Sequence, residues 1–369
     1  MIYFDNASTT KIDKEVKIVM DNAYDKYWAN PSSLHRLGFE AEKQITSARK
    51  QIANSLSISD KNLFFVPSGT IANNAVLHSF DKKDSNILIS QTEHPSIFEA
   101  GKNIKAELRI VKVDQYGYVD KDDMLSKIDE NTSLVSIMHV NNELGSINDI
   151  NKLAELAKNK NPKLYFHSDG VQAFKKIATD LRNIDFYTIS SHKINGPKGI
   201  SALYIKEPSS FNSLYFGGGQ ELKLFSGTEN LPAIVAFAKA TELDNNYDNI
   251  SEINRFLRNE ISKIDDVKIL SAEENSSPYI LNICFKNIGA EILLHYLEMD
   301  EIYVSTGSAC SKGHDSRVLD AIGVEDSYKG GCIRLSLSKD STIQEAKIVV
   351  DKIKEKVEII RRIIGWDGY

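Results

Sequence analysis

The segment Ser190-Ser191-His192-Lys193-Ile194-Asn195-Gly196-Pro197-Lys198-Gly199 brings two hydroxyls, an imidazole and amines together. It follows Asp185-Phe186-Tyr187-Thr188-Ile189, an apolar run of strand length bounded by turn residues. Open α/β sheets bind ligands at the carboxyl ends of their strands, which is where these groups emerge. The amine of Lys193 suits a Schiff base with a carbonyl compound, provided that desolvation or a neighbouring cation keeps it neutral. A solvated surface lysine is the plain alternative.

Other clusters repeat the pattern of a strand followed by reactive groups. Pro67-Ser68-Gly69-Thr70-Ile71-Ala72-Asn73-Asn74 follows an apolar run at 63–66. A strand, a small-residue turn and a helix start would offer the backbone N–H groups near Gly69 and Thr70 to a phosphate. An ordinary N-cap by Ser68 or Thr70 accounts for the same residues. Gln91-Thr92-Glu93-His94-Pro95 places His94 after 87–90, to stack on a ring or carry a proton, or simply to sit in a loop. In His167-Ser168-Asp169-Gly170-Val171-Gln172 the Asp169 carboxylate suits a cationic heteroaromatic nitrogen, or else caps a helix.

Two clusters lie further along. Val304-Ser305-Thr306-Gly307-Ser308-Ala309-Cys310-Ser311-Lys312-Gly313 surrounds Cys310 with small residues, as suits a loop presenting an accessible thiol near a lysine. An inert buried thiol is the alternative, and Cys284, next to Ile280-Leu281-Asn282-Ile283, is read that way. In Gly331-Cys332-Ile333-Arg334-Leu335-Ser336-Leu337, alternation puts Cys332 and Arg334 on the face opposite the aliphatic residues. A guanidinium fixed on a strand suits bidentate capture of a carboxylate, unless it faces solvent. The role of Cys332 stays open.

The elements that must position these groups alternate in type. Residues 1–12 read as extended, 13–27 as a helix capped by Asp13, and 34–55 as a long amphipathic helix. Apolar runs near 63–66, 86–90, 107–113, 133–138, 163–167, 185–190 and 201–205 are separated by helical or polar segments. Such alternation predicts a largely parallel sheet covered on both faces. From Asn230 a long helical stretch is expected to run past Ser262. Strands near 267–270, 279–285 and 331–337 and helices near 289–298 and 342–362 follow. The expected division is a large domain over 13–250, with 1–12 and 251–369 forming a smaller α+β domain that carries Cys310 and Arg334.

At 369 residues, with 41% hydrophobic and 26% charged residues, the chain has the composition of a soluble globular protein of two domains. A net charge of −6 gives no support for direct nucleic-acid binding. No stretch reaches the roughly eighteen apolar residues of a membrane span, and Met1-Ile2-Tyr3-Phe4-Asp5 carries no signal-peptide pattern. The 3 cysteines are odd in number and widely spaced, which argues against a disulfide scaffold and for a reducing cytoplasm. There is no CxxC pair to suggest zinc, and no metal site is expected.

Taken together and in this order, the clusters resemble the cysteine desulfurases of the NifS/IscS type, within the class V aminotransferase group of pyridoxal-phosphate enzymes. The resemblance runs from Tyr3-Phe4-Asp5-Asn6-Ala7-Ser8-Thr9-Thr10 to the strand holding Arg334. Its most specific stretches are Ser191 to Gly199, Val135-Ser136-Ile137-Met138-His139-Val140-Asn141-Asn142-Glu143-Leu144-Gly145, and Ser305 to Cys310.

The resemblance implies the aspartate-aminotransferase-like fold (fold type I) and the cofactor pyridoxal 5'-phosphate. It implies that Lys193 holds the cofactor as a Schiff base and moves the substrate Cα proton. Asp169 would pair with the pyridine nitrogen, Gln172 with the phenolic oxygen, and His94 would stack on the ring and assist proton transfer. Gly69, Thr70, Ser190 and His192 would hold the phosphate. Thr228 would reach in from a second subunit, making a homodimer with shared sites. Asn142 and Arg334 would grip the carboxylate of L-cysteine, and Cys310 would take the sulfur as a persulfide for a sulfur-acceptor protein of iron–sulfur cluster assembly or tRNA thiolation. A related lyase acting on selenocysteine or cysteine sulfinate, another aminotransferase, or a weakly active sulfur-transfer partner are the competing functions.

The chain departs from the family pattern in places. Ile71 stands where glutamate is common, Phe225 where arginine is usual, and the segment after Cys310 is slightly short. The loss of a cation at Phe225 is expected to affect substrate preference or rate, and a shorter tether the reach of Cys310.

Overall fold

The computed structural model describes residues 1–306, 316–363 and 365. Cys310 therefore lies outside the described residues. In chain order, β1 (Ile2–Tyr3) precedes α1 (Lys14–Lys26) and α2 (Arg36–Ser55). Asp13 caps α1 by accepting from the Glu15 N–H, as expected, whereas α2 is capped by the His35 imidazole. Then come β2 (Leu63–Val66), α3 (Gly69–Ser79), β3 (Asn86–Ser90), α4 (Pro95–Gly101), β4 (Glu107–Val111) and α5 (Lys121–Lys127). They are followed by β5 (Thr132–Ser136), α6 (Ile150–Lys160), β6 (Tyr165–Asp169), β7 (Phe186–Ser190) and β8 (Ser201–Ile205).

These strands form one 7-stranded sheet in the order β2-β8-β7-β6-β5-β3-β4. It is parallel from β4 through β7, and β8 is reversed, antiparallel to β7 on one side and to β2 on the other. The sheet alternates its burial between two layers, as a doubly covered sheet must. Phe65, Tyr187, Ala202 and Tyr204 pack beneath the helices α1 and α2, while Phe64, Phe186, Leu203 and Ile205 face the other apolar layer.

The helical stretch expected from Asn230 past Ser262 is two helices, α7 (Leu231–Ala240) and α8 (Tyr247–Ile261). Asn246 sits between them with φ 56°, a left-handed turn that asparagine tolerates and a continuous helix does not. Their allegiances differ as well: Phe237 of α7 joins the core beneath the large sheet, and Leu257 of α8 joins a second core.

That second core is built on β9 (Val267–Ile269), β10 (Ile280–Phe285), α9 (Ala290–Glu298), β11 (Ile302–Tyr303), β12 (Cys332–Ser336) and α12 (Ile343–Ile363), while α10 (Arg317–Ala321) and α11 (Asp326–Lys329) pack in a separate small cluster with Cys284 and Cys332. The strand order β12-β10-β9 is antiparallel throughout, and Leu293, Val349 and Ile353 pack with Ile283 and Ile333. β1 pairs with β11, which carries Ile2 and Phe4 into the same core. Each large aliphatic or aromatic side chain so buried contributes about 1.5–3 kcal/mol.

One expectation fails here. Cys284, read as an inert buried thiol, is joined to Cys332 by a disulfide. The antiparallel register places Cys284 directly opposite Cys332, and both are buried. Sequence distance is a poor guide where strand pairing brings two thiols face to face.

Candidate active site

The strand ends deliver the reactive groups to one edge of the large sheet. Thr188 lies opposite Asp169 and Ser201 opposite Ser190, so the ends of β6 and β7 stand side by side. After β7 a tight 3-10 turn over Ser191–Lys193 lifts Lys193 off the sheet. Asn195 then adopts φ 62°, and Gly196 passes so close that a Cβ would stand 2.0 Å from Ser191 Oγ. The amine of Lys193 donates to the carbonyl oxygens of Ala7 at 2.6 Å and Ser8 at 2.7 Å. Gln172 Nε2 donates to the same Ala7 carbonyl at 2.8 Å.

The Asp169 carboxylate is buried and held at both oxygens. Oδ1 accepts from the Val171 N–H at 2.9 Å and Oδ2 from Asn73 Nδ2 at 2.8 Å. Asn73 also donates to Ser96 Oγ, which meets His94 Nδ1 at 2.8 Å. The path Asp169–Asn73–Ser96–His94 thus ties the carboxylate to the imidazole. Burial lowers the His94 pKa, Asp169 opposes this, and the Lys193 and Arg317 charges reinforce it. The imidazole is consequently neutral near pH 7 and free to take a proton.

Ser68 caps α3, accepting from the Ile71 N–H, so the bland expectation for this turn holds. Gly69 behind it is close-packed: a Cβ there would lie 3.2 Å from Val171 Cγ2. Ser190 and His192 flank the same edge, and Ser190 Oγ accepts from Ser201 Oγ. Burial, then the Lys193, Lys198 and Lys176 charges, push the His192 imidazole down to about 4.

Arg334 is only 2% exposed, so it is not a solvent-facing strand arginine. Its Nη1 donates to the Asn142 carbonyl at 2.9 Å and its Nη2 to Asp5 Oδ1 and Ser8 Oγ, each at 2.8 Å. Its Nε is buried with no acceptor among the described residues. Ser305, from the Cys310 segment, pairs with Arg334 by backbone hydrogen bonds. On the far side of that segment Ser316 Oγ donates to Glu143, and Arg317 donates to the carbonyls of Gln91 and Glu93 while lying over the Phe98 ring. Both flanks of 307–315 are therefore anchored to the site.

Thr228 does not join this cluster. It is exposed, at the rim of a cavity of about 170 Å³ lined by Pro67, Gly199 and both Ile71 and Phe225. Two of the departures from the family pattern thus meet in one place, and Phe225 is buried against Phe211 and Tyr215. Upstream, Glu221, Leu222 and Lys223 have φ of 48°, 54° and 65°, a strained run for side-chain-bearing residues. The buried Glu221 carboxylate holds it, taking two hydrogen bonds from Arg49 and one from the Phe65 N–H.

Asn73, Ser96, Glu93, Lys176 and the carbonyls of Ala7 and Ser8 were missed in the sequence. A helical spacing of four links Asn73 to Gly69 and Lys176 to Gln172, but backbone carbonyls leave no residue-type signal. Glu93 is wholly buried: its Oε1 accepts from Ser90 and Met138, and its Oε2 has no partner among the described residues. Burial pushes its carboxyl from 4.5 up to about 8, against hydrogen bonds from Met138 and Ser90. The folded protein therefore keeps a proton that the unfolded chain loses, and stability falls as pH rises from about 4.5 to about 8. Glu93→Gln keeps the acceptor and should flatten that slope, read as thermal midpoints near pH 5 and pH 8. Equal slopes in variant and wild type would mean that the native carboxylate is ionised.

The donor set fits pyridoxal 5'-phosphate: an amine, an anchored buried carboxylate, a neutral imidazole and a glycine-tight helix start suited to an anion. Among the described residues no helix is long and apolar enough to cross a membrane.

The aminotransferase class-V family model matches residues 2–349. The chain is 34% identical to a cysteine desulfurase IscS of Dictyoglomus turgidum, over 98% of this chain and 96% of that protein. It is 36% identical to a NifS/IcsS protein homolog of Lactobacillus delbrueckii subsp. bulgaricus, over 94% of each. Among solved structures, a NifS-like protein superposes with a TM-score of 0.91 at 32% identity, over 97% of this chain and 99% of the other. SspA in complex with cysteine superposes with a TM-score of 0.82 at 28% identity, over 91% and 99%.

Proposed function

The chain belongs to the class-V aminotransferase family, as a pyridoxal-phosphate-dependent cysteine desulfurase of the NifS/IscS type, and from that premise we propose how its own residues turn L-cysteine into L-alanine and a persulfide on Cys310. Pyridoxal phosphate, when bound, supplies a carbonyl for the substrate amine and a cationic ring that draws electron density from the substrate Cα. Lys193 would hold it through its amine and, once released, would move the Cα proton. Asp169 would keep a proton on the ring nitrogen, since Asn73 and the Val171 N–H prevent its carboxylate from turning away. Gln172 would donate to the phenolic oxygen, and neutral His94 would stack and relay protons. Gly69, Thr70, Ser190 and His192 would take the phosphate, with Thr228 of a second subunit completing it in a homodimer.

Arg334 and Asn142 would orient the substrate carboxylate, and the unpartnered Nε of Arg334 leaves a donor for it. The thiolate of Cys310 would attack the substrate sulfur. The Cβ–S bond breaks with its electron pair going to carbon, which is protonated, so cysteine plus thiol gives alanine plus persulfide. The sulfur would pass to an acceptor protein of iron–sulfur cluster assembly or tRNA thiolation, in the cytoplasm.

One observation supports this reading above the others: Lys193, Gln172 and Arg334 converge on Ala7 and Ser8. The test is to incubate the holoenzyme with L-cysteine and locate added sulfur by mass spectrometry of peptides. The sulfur is expected on the peptide holding Cys310, and Cys310→Ala should stop alanine formation. Full alanine production by that variant would end the persulfide route.

A further inference from the structure

A second lysine shares the enclosed space of the first. Lys176 is 7% exposed and lines one small cavity together with Lys193, Thr10, Asn195, Tyr279 and Lys339. Its Nζ donates to Gln172 Oε1 at 3.1 Å and lies 5.7 Å from the Tyr279 ring. No carboxylate among the described residues pairs with it. A buried ammonium without a counter-ion is costly, and neither the fold nor the mechanism above accounts for it.

Its hydrogen bonds lead to the reacting amine. Lys176 holds Gln172 Oε1, Gln172 Nε2 donates to the Ala7 carbonyl, and Lys193 Nζ donates to that same carbonyl. An ammonium only donates, so while charged it dictates that the Gln172 amide oxygen faces Lys176 and the NH₂ faces the Ala7 carbonyl that Lys193 shares. We propose that Lys176 is a positioning residue for the desulfurase reaction: it orients the Gln172 amide and, as a neighbouring cation, disfavours a proton on the nitrogen of Lys193. The inference rests on the function proposed above.

The surrounding charges are consistent with a coupled pair of amines. Burial, then Lys193 and Arg334, bring the Lys176 amine from 10.5 down to about 7. Repulsion is mutual, so the charge that depresses one amine disfavours protonation of the other. His192 faces the pair from the turn after β7, Arg334 from β12 and Tyr279 from the start of β10, while Lys339 at the cavity wall is neutralised by Asp13 at 2.8 Å.

The experiment is a pH titration of the visible absorbance of the bound cofactor, in wild type, Lys176→Met and Lys176→Arg, with cofactor content and thermal midpoint measured alongside. Lys176→Met should move the protonation of the Lys193 nitrogen upward by roughly one pH unit, the effect of removing one nearby like charge. Lys176→Arg, which keeps a charge and a donor, should not move it upward. Lys176→Gln gives the same comparison should the methionine variant not fold. A fully loaded, folded Lys176→Met or Lys176→Gln titrating with wild type would overturn the inference. A wild-type protein that takes up no chromophore would overturn the proposed function, and this inference with it.

Discussion

Lys193→Ala should emerge colourless from gel filtration after incubation with pyridoxal phosphate and should turn over L-cysteine at least about 10³-fold more slowly than wild type. The loss is large because one amine serves twice, as covalent holder and as the base at Cα. The fold should survive. The Ala7 carbonyl loses one donor but keeps its bond from Gln172, and the Ser8 carbonyl loses its bond from Lys193, so stability should drop by about 1–3 kcal/mol. Absorbance spectra, alanine release and a thermal melt separate these effects. A variant that kept both colour and turnover would remove the site assignment altogether.

Arg334→Leu should cost on the order of 10²-fold or more in kcat/KM for L-cysteine, as a bidentate anchor for the carboxylate is lost. It should also destabilise the protein, because Asp5 loses its ion pair and the Asn142 carbonyl its donor. Asp5 keeps some solvent and the Ser8 hydroxyl, so that cost should be a few kcal/mol at most. Cysteamine, which lacks the carboxylate, distinguishes the two roles. If Arg334 binds the carboxylate, the variant should lose little further activity on cysteamine. An equal loss on both compounds would make Arg334 structural. Arg334→Lys should recover only part of the activity, since an ammonium lacks the guanidinium fork.

The placement of Asp169, His94 and Lys193 was legible because each stands at or just after the end of an apolar run of strand length, and strand ends collect at one edge of such a sheet, whereas their roles came from the resemblance. The large sheet was legible for the same reason, since β2 through β8 are short runs separated by helical or polar segments. What escaped depends on partners distant in sequence. Asn73 matters only because α3 sets it against Asp169, and Lys176 only because Gln172 stands between it and Lys193. The pairing of Cys284 with Cys332 required the register of β10 on β12, which no residue pattern announces. The break between α7 and α8 hangs on one left-handed asparagine within a polar run, and apolar periodicity passes over it.

The ribbon from Phe4 to Thr10 has a consequence for how the two cores communicate. Phe4 is rooted in the smaller core, whereas Ala7, Ser8 and Thr10 cage the amine of Lys193 and the backbone of His192. The reacting nitrogen is therefore moored by a strap fastened in the smaller core. A displacement of the smaller core relative to the large sheet would therefore reach the Lys193 amine through this one short segment.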